Sequence, residues 1–496
     1  MKKKIFGLLI TIFTFGMVLN VNAITISTDN SNHATSDSNS LLVTNTGTIT
    51  ISNVKTGDVL VAYKVLNTFY NASTNVFTYE FTSDFKAFLA SSSTYKNLTI
   101  EDYYALTSGD QTSGSTRTQS TLDKLVSAYT AYLKANASIT GTNMTTSSTT
   151  ATATVPVGAY LIIPKTTLNV YAVMVGNVIP TASGNDWTIS NATIKAKVSQ
   201  AGLTKAIGAI GRMDGNYSIG TEYSYFLVGT VPQFPTNATN KKYTIVDTVG
   251  NGITLSALSS IVIKDGEKTL SNTNGTFKNG ANTVATATIS GQKLTIEFTA
   301  DYITSTTVTI EYKAKLNSNA TLGDEKGNMN SAVLTYSNDP YGTGTTSTTA
   351  VNAAALTYGI EALVYSNKDN GIKLSGVKFE IYKEAAATTK LGEMTTDGNG
   401  VARFAGLAEG TYYLKQVSTA PGYSLPRDTV PVKVKIPDSV AATTEGYYLA
   451  EIAAFETGTL PLTGGIGTIL YTMIGLITVV SAIVLFVLYN RKKKHN

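Results

Sequence analysis

Residues able to do catalytic chemistry are few in this chain, and their placement is informative. There is no cysteine, which removes disulfides and thiolate metal sites. The histidines, His33 and His495, stand near opposite ends, where neither can anchor a triad or a metal centre. No Gly-rich phosphate loop opens a helix. These absences point away from an enzyme and call for no cofactor and no metal. The stretch with a defined chemical shape is C-terminal: Leu460-Pro461-Leu462-Thr463-Gly464, an uncharged run to Asn490, then Arg491-Lys492-Lys493-Lys494. Pro461 fixes its own φ and biases Leu460 away from helix, so the pentapeptide is extended. The run Ile466–Tyr489 would make a helix of about 36 Å against a hydrocarbon core of about 30 Å, which predicts a C-terminal transmembrane helix. The basic tail marks its cytoplasmic end.

The elements that would position this tail are mostly strands. Charged residues make up 14% of the 496 positions, and Tyr (28) outnumbers Phe (16), a profile of strands with polar outer faces. The net charge of +5 comes from the two end segments, so the ectodomain is near neutral and presents no nucleic-acid patch. Lys2-Lys3-Lys4, the apolar Ile5–Leu19 and the small residues ending at Ala23 read as a signal peptide, 1–23, cleaved after Ala23. The mature chain is therefore secreted and then held at its far end.

Residues 24–198 read as a β-rich domain with helical insertions. Thr48–Val54 and Val59–Leu66 are expected strands across the turn Lys55-Thr56-Gly57-Asp58. A helix from near Ser120 would align Leu122, Leu125, Val126, Tyr129, Tyr132 and Leu133 on one face. Further strands are expected at Thr150–Val155, Ala159–Ile163, Val170–Val178 and Trp187–Lys197. Residues 199–348 alternate steadily, from Tyr223–Val231 to Asn330–Ser337, as a β-sandwich, and Gly342–Thr349 reads as a linker. Residues 349–456 form a smaller all-β region, with Asp397-Gly398-Asn399-Gly400 as a tight hairpin turn. Residues 457–496 hold the C-terminal stretch.

Leu460-Pro461-Leu462-Thr463-Gly464, followed by an apolar span and a basic tail, resembles the LPXTG cell-wall sorting signal of Gram-positive surface proteins. That resemblance implies cleavage at Thr463–Gly464 by a sortase. The whole chain resembles the backbone pilins of sortase-assembled pili. The resemblance rests on the signal peptide, the run Val59–Leu66, two sandwich regions and the sorting signal. The third region resembles a collagen-adhesin B-type domain through Leu374–Phe379, Thr396–Gly400 and Gly410–Leu414. The implied fold is mainly β: tandem immunoglobulin-like or collagen-adhesin-type sandwiches.

The resemblance also implies residue roles. A lysine ending the first domain, in a Tyr/x-Pro-Lys motif, would accept the Thr463 acyl group of another copy. Lys197 takes that position, with Ala196 in place of the proline, and Lys195 is the alternative on the same strand face. In the second domain the resemblance implies an internal Lys–Asn isopeptide bond between first and last strands. Lys205 would be the nucleophile, Asn330 the acceptor (Asn328 the alternative) and Asp247 the proton shuttle. In an apolar core the lysine would be neutral and the aspartate protonated. In the third domain the matching positions are vacated. The first strand, Ile360–Asn367, has no lysine and only Lys368 at its end, Gln416 replaces the glutamate, and Ala453 replaces the asparagine, so no bond is expected there.

The implied function is that of a structural shaft subunit supporting adhesion, on a cell-surface pilus fixed to the wall after transient membrane anchoring. The implied partners are other copies of the chain, a class C-type pilin sortase, a housekeeping sortase and peptidoglycan, with minor pilins and host surface ligands beyond them. The alternative is a monomeric wall-anchored adhesin, or a minor pilin of the tip or base.

Overall fold

The computed structural model describes residues 24–29, 39–107, 119–166, 169–184, 186–235, 238–323, 327–340, 342–457 and 466–493. The signal peptide with Ala23, the pentapeptide 460–464, and both histidines lie outside the described residues.

The first domain is a sandwich with a helical layer on one side. Val59–Asn71 is its central strand, paired along one edge with Gly158–Thr166 and Leu41–Val43 and along the other with Val76–Phe81. It runs longer than the expected Val59–Leu66 because both of its faces are buried, as its continuous apolar run allows. One face meets the second sheet, Ala192–Lys195, Thr46–Ser52, Thr150–Pro156 and Thr145–Ser147, over a core that includes Ile49, Leu60, Tyr160 and Val178. The other face carries Val65 and Leu66 into a separate core with Phe85, Phe88, Leu125 and Tyr129 from the helices Ser83–Ser91 and Gln119–Ala135. Leu122, Leu125, Val126, Tyr129 and Leu133 are buried, so the expected helical stripe does face inward.

The expected strand Trp187–Lys197 is two strands in different sheets. Asp186–Ser190 pairs antiparallel with Met174–Ser183, and Ala192–Lys195 pairs parallel with Thr46–Ser52. Asn191 marks the crossing, where its side-chain oxygen accepts a hydrogen bond from Thr48 N at 2.8 Å.

The second domain packs a six-stranded sheet (Gly202–Ile207, Glu222–Thr230, Thr307–Leu316, Val262–Asp265, Lys268–Thr269 and Ile253–Leu255) against a nine-stranded one. Each of the strands expected there is present within a few residues of its expected bounds. The boundary at 348 needs correction. Thr345–Ser347 and Val351–Leu356 both pair with Asn328–Ser337, so the expected linker and the start of the expected third region belong to the second domain's sheet. Thr and Ser in a row are linker-like in composition, yet extended backbone pairs with a sheet edge whatever its side chains. Asn330 therefore lies in a strand that two further strands of its sheet follow, not in the last one.

The third domain begins in effect at Tyr358. Tyr358–Ser366 lies between Val401–Leu407 and the final strand Tyr447–Ala454, with which it runs parallel. The opposing sheet is Lys390–Thr395, Lys378–Tyr382, Gly410–Ser418 and Val430–Val434. Asp397–Gly400 is thus no hairpin: Lys390–Thr395 and Val401–Leu407 belong to opposite sheets, and the turn carries the chain across the core. Its chemistry is still that of a tight turn. Asp397 accepts hydrogen bonds from the Asn399 and Val401 amides at 2.9 and 3.0 Å, and Gly400 has φ +72°.

Contacts tie the domains together. Lys134 of the first domain pairs with Asp339 of the second. Asn216 and Ser218 of the second bond to Glu409 and the Ala408 amide of the third at 2.9 and 3.0 Å. The C-terminal helix runs Ile466–Lys493. Side chains are described over its stretch 472–487, which is shorter than a bilayer span, and among the described residues no helix is long and apolar enough to cross a membrane.

Candidate functional site: a buried lysine, aspartate and asparagine

In the second domain the two sheets bring three polar side chains into an otherwise apolar core. Lys205 comes from the six-stranded sheet, where alternation along Gly202–Ile207 turns it inward with Leu203 and Ile207. Asp247 and Asn330 come from neighbouring strands of the facing sheet, with Val249 opposite Asn330 and Asp247 opposite Ala332. The Lys205 and Asp247 side chains have no solvent exposure and are in direct contact. Asn330 is fully buried as well.

The group that joins them is one the sequence reading did not pick out. The Tyr312 hydroxyl accepts a hydrogen bond from Lys205 Nζ at 2.8 Å and another from Asn330 Nδ2 at 2.7 Å. Tyr225 stacks on Tyr312, ring centroids 5.5 Å apart, and Lys205 Nζ lies 4.8 Å from the Tyr225 ring. The alternation of Thr307–Leu316 already puts Tyr312 inward with Val308, Ile310 and Ala314, so the sequence contained the signal. What it could not show was a hydroxyl poised between the two partners.

Burial dominates the electrostatics. Desolvation pushes the Lys205 ammonium well below its ordinary range, and the adjacent Asp247 only partly offsets this. Desolvation likewise raises the Asp247 carboxyl, against the opposing pull of Lys205. Both shifts favour a neutral amine beside a protonated acid, as taking two charges out of water demands. Asp247 Oδ1 and Asn330 Oδ1 are buried without hydrogen-bond partners. An unpaired buried polar atom costs about 1–3 kcal/mol, so this cluster is expensive as an unreacted set of side chains.

Asn328 is placed elsewhere. Its side chain accepts from Thr321 N at 2.9 Å and donates to the carbonyls of Thr321 and Ala355 at 3.1 and 3.0 Å. It is buried and satisfied as a clamp between loop and strand.

At the end of the first domain, Lys195 and Lys197 are both exposed, on either side of buried Ala196. The Ala196 amide donates to Ser52 O at 2.9 Å, and the Lys197 carbonyl accepts from Ala172 N at 2.9 Å. A proline at 196 could not make the first of these bonds, which gives the departure from Pro-Lys a structural reason.

The third domain differs. The inward residues of Tyr358–Ser366 include Ile360, Ala362 and Val364. In the final strand Ile452 and Ala454 face inward, whereas Ala453, expected at the asparagine position, lies opposite Tyr365 on the exposed face, so spacing alone placed that position one residue off the core. Lys368 is outside the core and pairs with Glu456 at the surface. Gln416 alone is retained inside, 4% exposed, with its Nε2 buried and unpartnered.

Residues 363–448 match the SpaA prealbumin-like fold domain, and residues 456–496 match the LPXTG cell wall anchor motif. Over 252 residues the chain is 26% identical to the trypsin-resistant surface T6 protein of Streptococcus pyogenes serotype M6, covering 48% of this chain and 46% of that one. The chain thus spans about half the length of the curated relative it matches. The solved T6 backbone pilin of serotype M6 S. pyogenes superposes with a TM-score of 0.65 at 19% identity, over 84% of this chain and 99% of that one. The major pilin SpaD of Corynebacterium diphtheriae superposes with a TM-score of 0.54 at 15% identity, over 83% and 98%. This is a backbone-pilin fold. It extends over nearly the whole of both solved pilins and carries a wall-anchor motif at its C-terminus.

Proposed function

We propose that this protein is the shaft subunit of a covalently polymerised surface pilus, anchored in the cell wall and supporting adhesion. The observation that supports this best is the combination in one chain of the backbone-pilin fold with the LPXTG anchor motif. Its relatives are structural proteins, and the chain acts as a substrate at both ends rather than as an enzyme.

At the donor end a pilin sortase breaks the Thr463–Gly464 bond and holds the Thr463 acyl group as a thioester. At the acceptor end the Lys197 amine of another copy attacks that carbonyl, an amide forms, and the sortase thiol is released. An ordinary lysine is almost entirely protonated at neutral pH, so desolvation against the enzyme would have to free its amine. A housekeeping sortase transfers the last subunit to peptidoglycan, and the C-terminal helix is a temporary membrane hold. The exposure of Lys197 and Lys195 agrees with attack by either side chain. Within the second domain, Lys205 displaces ammonia from Asn330 with Asp247 as proton shuttle.

The test uses Lys197→Ala, Lys195→Ala and the double variant in the native host, with wall extracts run on a denaturing gel. Collapse of the high-mass ladder to monomer in Lys197→Ala alone is expected. Collapse only in Lys195→Ala would transfer the role to that residue. A ladder that survives the double variant would remove this strand end from the reaction.

A further inference from the structure

We propose that Tyr312 is a catalytic residue of the intramolecular amide exchange, its hydroxyl carrying the proton from the attacking nitrogen to the departing one. This rests on the reading of Lys205 and Asn330 as the reacting pair.

The exchange has a definite proton balance. A bond forms between Lys205 Nζ and Asn330 Cγ, the bond from Cγ to Nδ2 breaks, and ammonia leaves. Over the whole reaction Nζ loses one proton and Nδ2 gains one, so no oxidant, reductant or other co-reactant is needed. An amide anion is far too basic to depart, so Nδ2 must be protonated before the bond to it breaks. In a core closed to solvent the proton has to travel through side chains.

The Tyr312 hydroxyl is hydrogen-bonded to both nitrogens, 2.8 Å from Lys205 Nζ and 2.7 Å from Asn330 Nδ2. Asp247 Oδ2 contacts Nζ, so its shuttling is confined to the ammonium proton that must leave Lys205 before attack, while Tyr312 serves the second transfer, from Nζ to Nδ2, which Asp247 is not seen to reach. In the ground state the carboxamide nitrogen has no basic lone pair and donates to the tyrosine oxygen. Once Cγ becomes tetrahedral, resonance is lost, Nδ2 acquires a lone pair, and the same contact can run in reverse. Tyr312 then gives its proton to Nδ2 as it receives one from Nζ. The hydroxyl is never required to ionise in this exchange, which matters because burial and the nearby Asp247 carboxyl hold its ionisation far above neutral pH. The ring is held for the task by stacking on Tyr225 and by full burial.

A space-filling role would need only the ring, so Tyr312→Phe separates the two. Positioned proton transfer is ordinarily worth about 10²–10⁴-fold in rate. The full chain would be made by cell-free synthesis and followed by intact mass, counting the fraction lighter by one ammonia over time. Wild type should become light, and Tyr312→Phe should lag it by at least about tenfold while folding normally by circular dichroism. Tyr243→Phe removes a buried hydroxyl of the same domain that bonds to the Thr230 carbonyl, away from the cluster, and should react like wild type. If Tyr312→Phe becomes light as fast as wild type, the relay is overturned. Should that variant not fold, synthesis with 3-fluorotyrosine, which keeps the hydroxyl but makes it more acidic, must change the rate; an unchanged rate also overturns the relay. A wild-type chain that never becomes light refutes the Lys205–Asn330 reading itself, an outcome distinct from failure of Tyr312 alone.

Discussion

The second and third domains are both two-sheet sandwiches, yet they treat their buried polar positions in opposite ways. The second keeps a lysine, an aspartate and an asparagine inside, gathered on one tyrosine hydroxyl. The third has apolar side chains facing in from its first strand, Ile452 and Ala454 facing in from its last, and Gln416 left inside as a residue of the pattern. Desolvating an amine, an acid and an amide together is tolerable when they react and become one neutral linkage. Where the reaction is given up, the same physics favours replacing all three. The core of the third domain fits that outcome at all but Gln416.

The largest expected effect comes from removing the acceptor. Asn330→Ala should leave the protein at its full mass, where the proposed linkage makes wild type lighter by one ammonia. By analogy with a cross-link closing a loop of about 125 residues, it should lose on the order of 5 kcal/mol. Calorimetry of the second domain's transition reads the loss, and an unshifted transition would erase the distinction between the domains. Asn328→Ala comes next. It strips partners from Thr321 and Ala355 and should cost about 1–3 kcal/mol while the mass stays one ammonia light. A return to full mass would make Asn328 the acceptor. In the third domain, Gln416→Leu removes an orphaned amide and should raise that domain's unfolding transition by about 1 kcal/mol with no change in mass. A lowered transition would mean that the buried amide still serves the fold.

The smallest effect expected is a null one, and its sign can be worked out. In unlinked Asn330→Ala, the folded pKa of Lys205 lies below its unfolded value, so its contribution is present above about pH 10 and lost as pH falls. The folded pKa of Asp247 lies above its unfolded value, so its contribution is present below about pH 4 and lost as pH rises. Between those limits the unfolded pair carries one proton, on Lys205, and the folded pair, held without net charge in an apolar core, carries one as well. Neither state binds more, and the pair should add no slope to a stability–pH curve from about pH 4 to about pH 10. Denaturant melts across that range check this, and a steep slope would mean that one member of the pair titrates in the folded state without the other, leaving a net charge in the core.

Much of this was legible in the sequence where side-chain period carries the information. The alternation in the second domain marked its strands, and the stripe Leu122–Leu133 marked the helix. Features that depend on pairing between distant segments were not legible. Trp187–Lys197 reads as one strand because nothing local shows that Asn191 changes sheets. Thr345–Ser347 reads as linker because its pairing partner is chosen by the sheet edge. Asp397–Gly400 has hairpin chemistry, but the core decides which sheet each arm joins. For the cluster, resemblance named Lys205, Asp247 and Asn330, and the structure brings them together. Tyr312 was hidden because an inward tyrosine in an alternating strand looks like packing until its neighbours across the core are known.

One feature of the third domain matters most under load. Its first and last strands are parallel neighbours, in register from Gly359 with Tyr447 to Ser366 with Ala454. The chain therefore enters at one pole and leaves at the other, and tension along a fibre slides the two strands past each other lengthwise. All the bonds between them are then stressed together in shear instead of being unzipped in turn. If, as its core residues lead us to expect, this domain forms no internal covalent link, it should be stiff up to a threshold, yield as a unit and refold when the tension is released. Single-molecule stretching should show it as an extensible, resettable module beside an inextensible second domain.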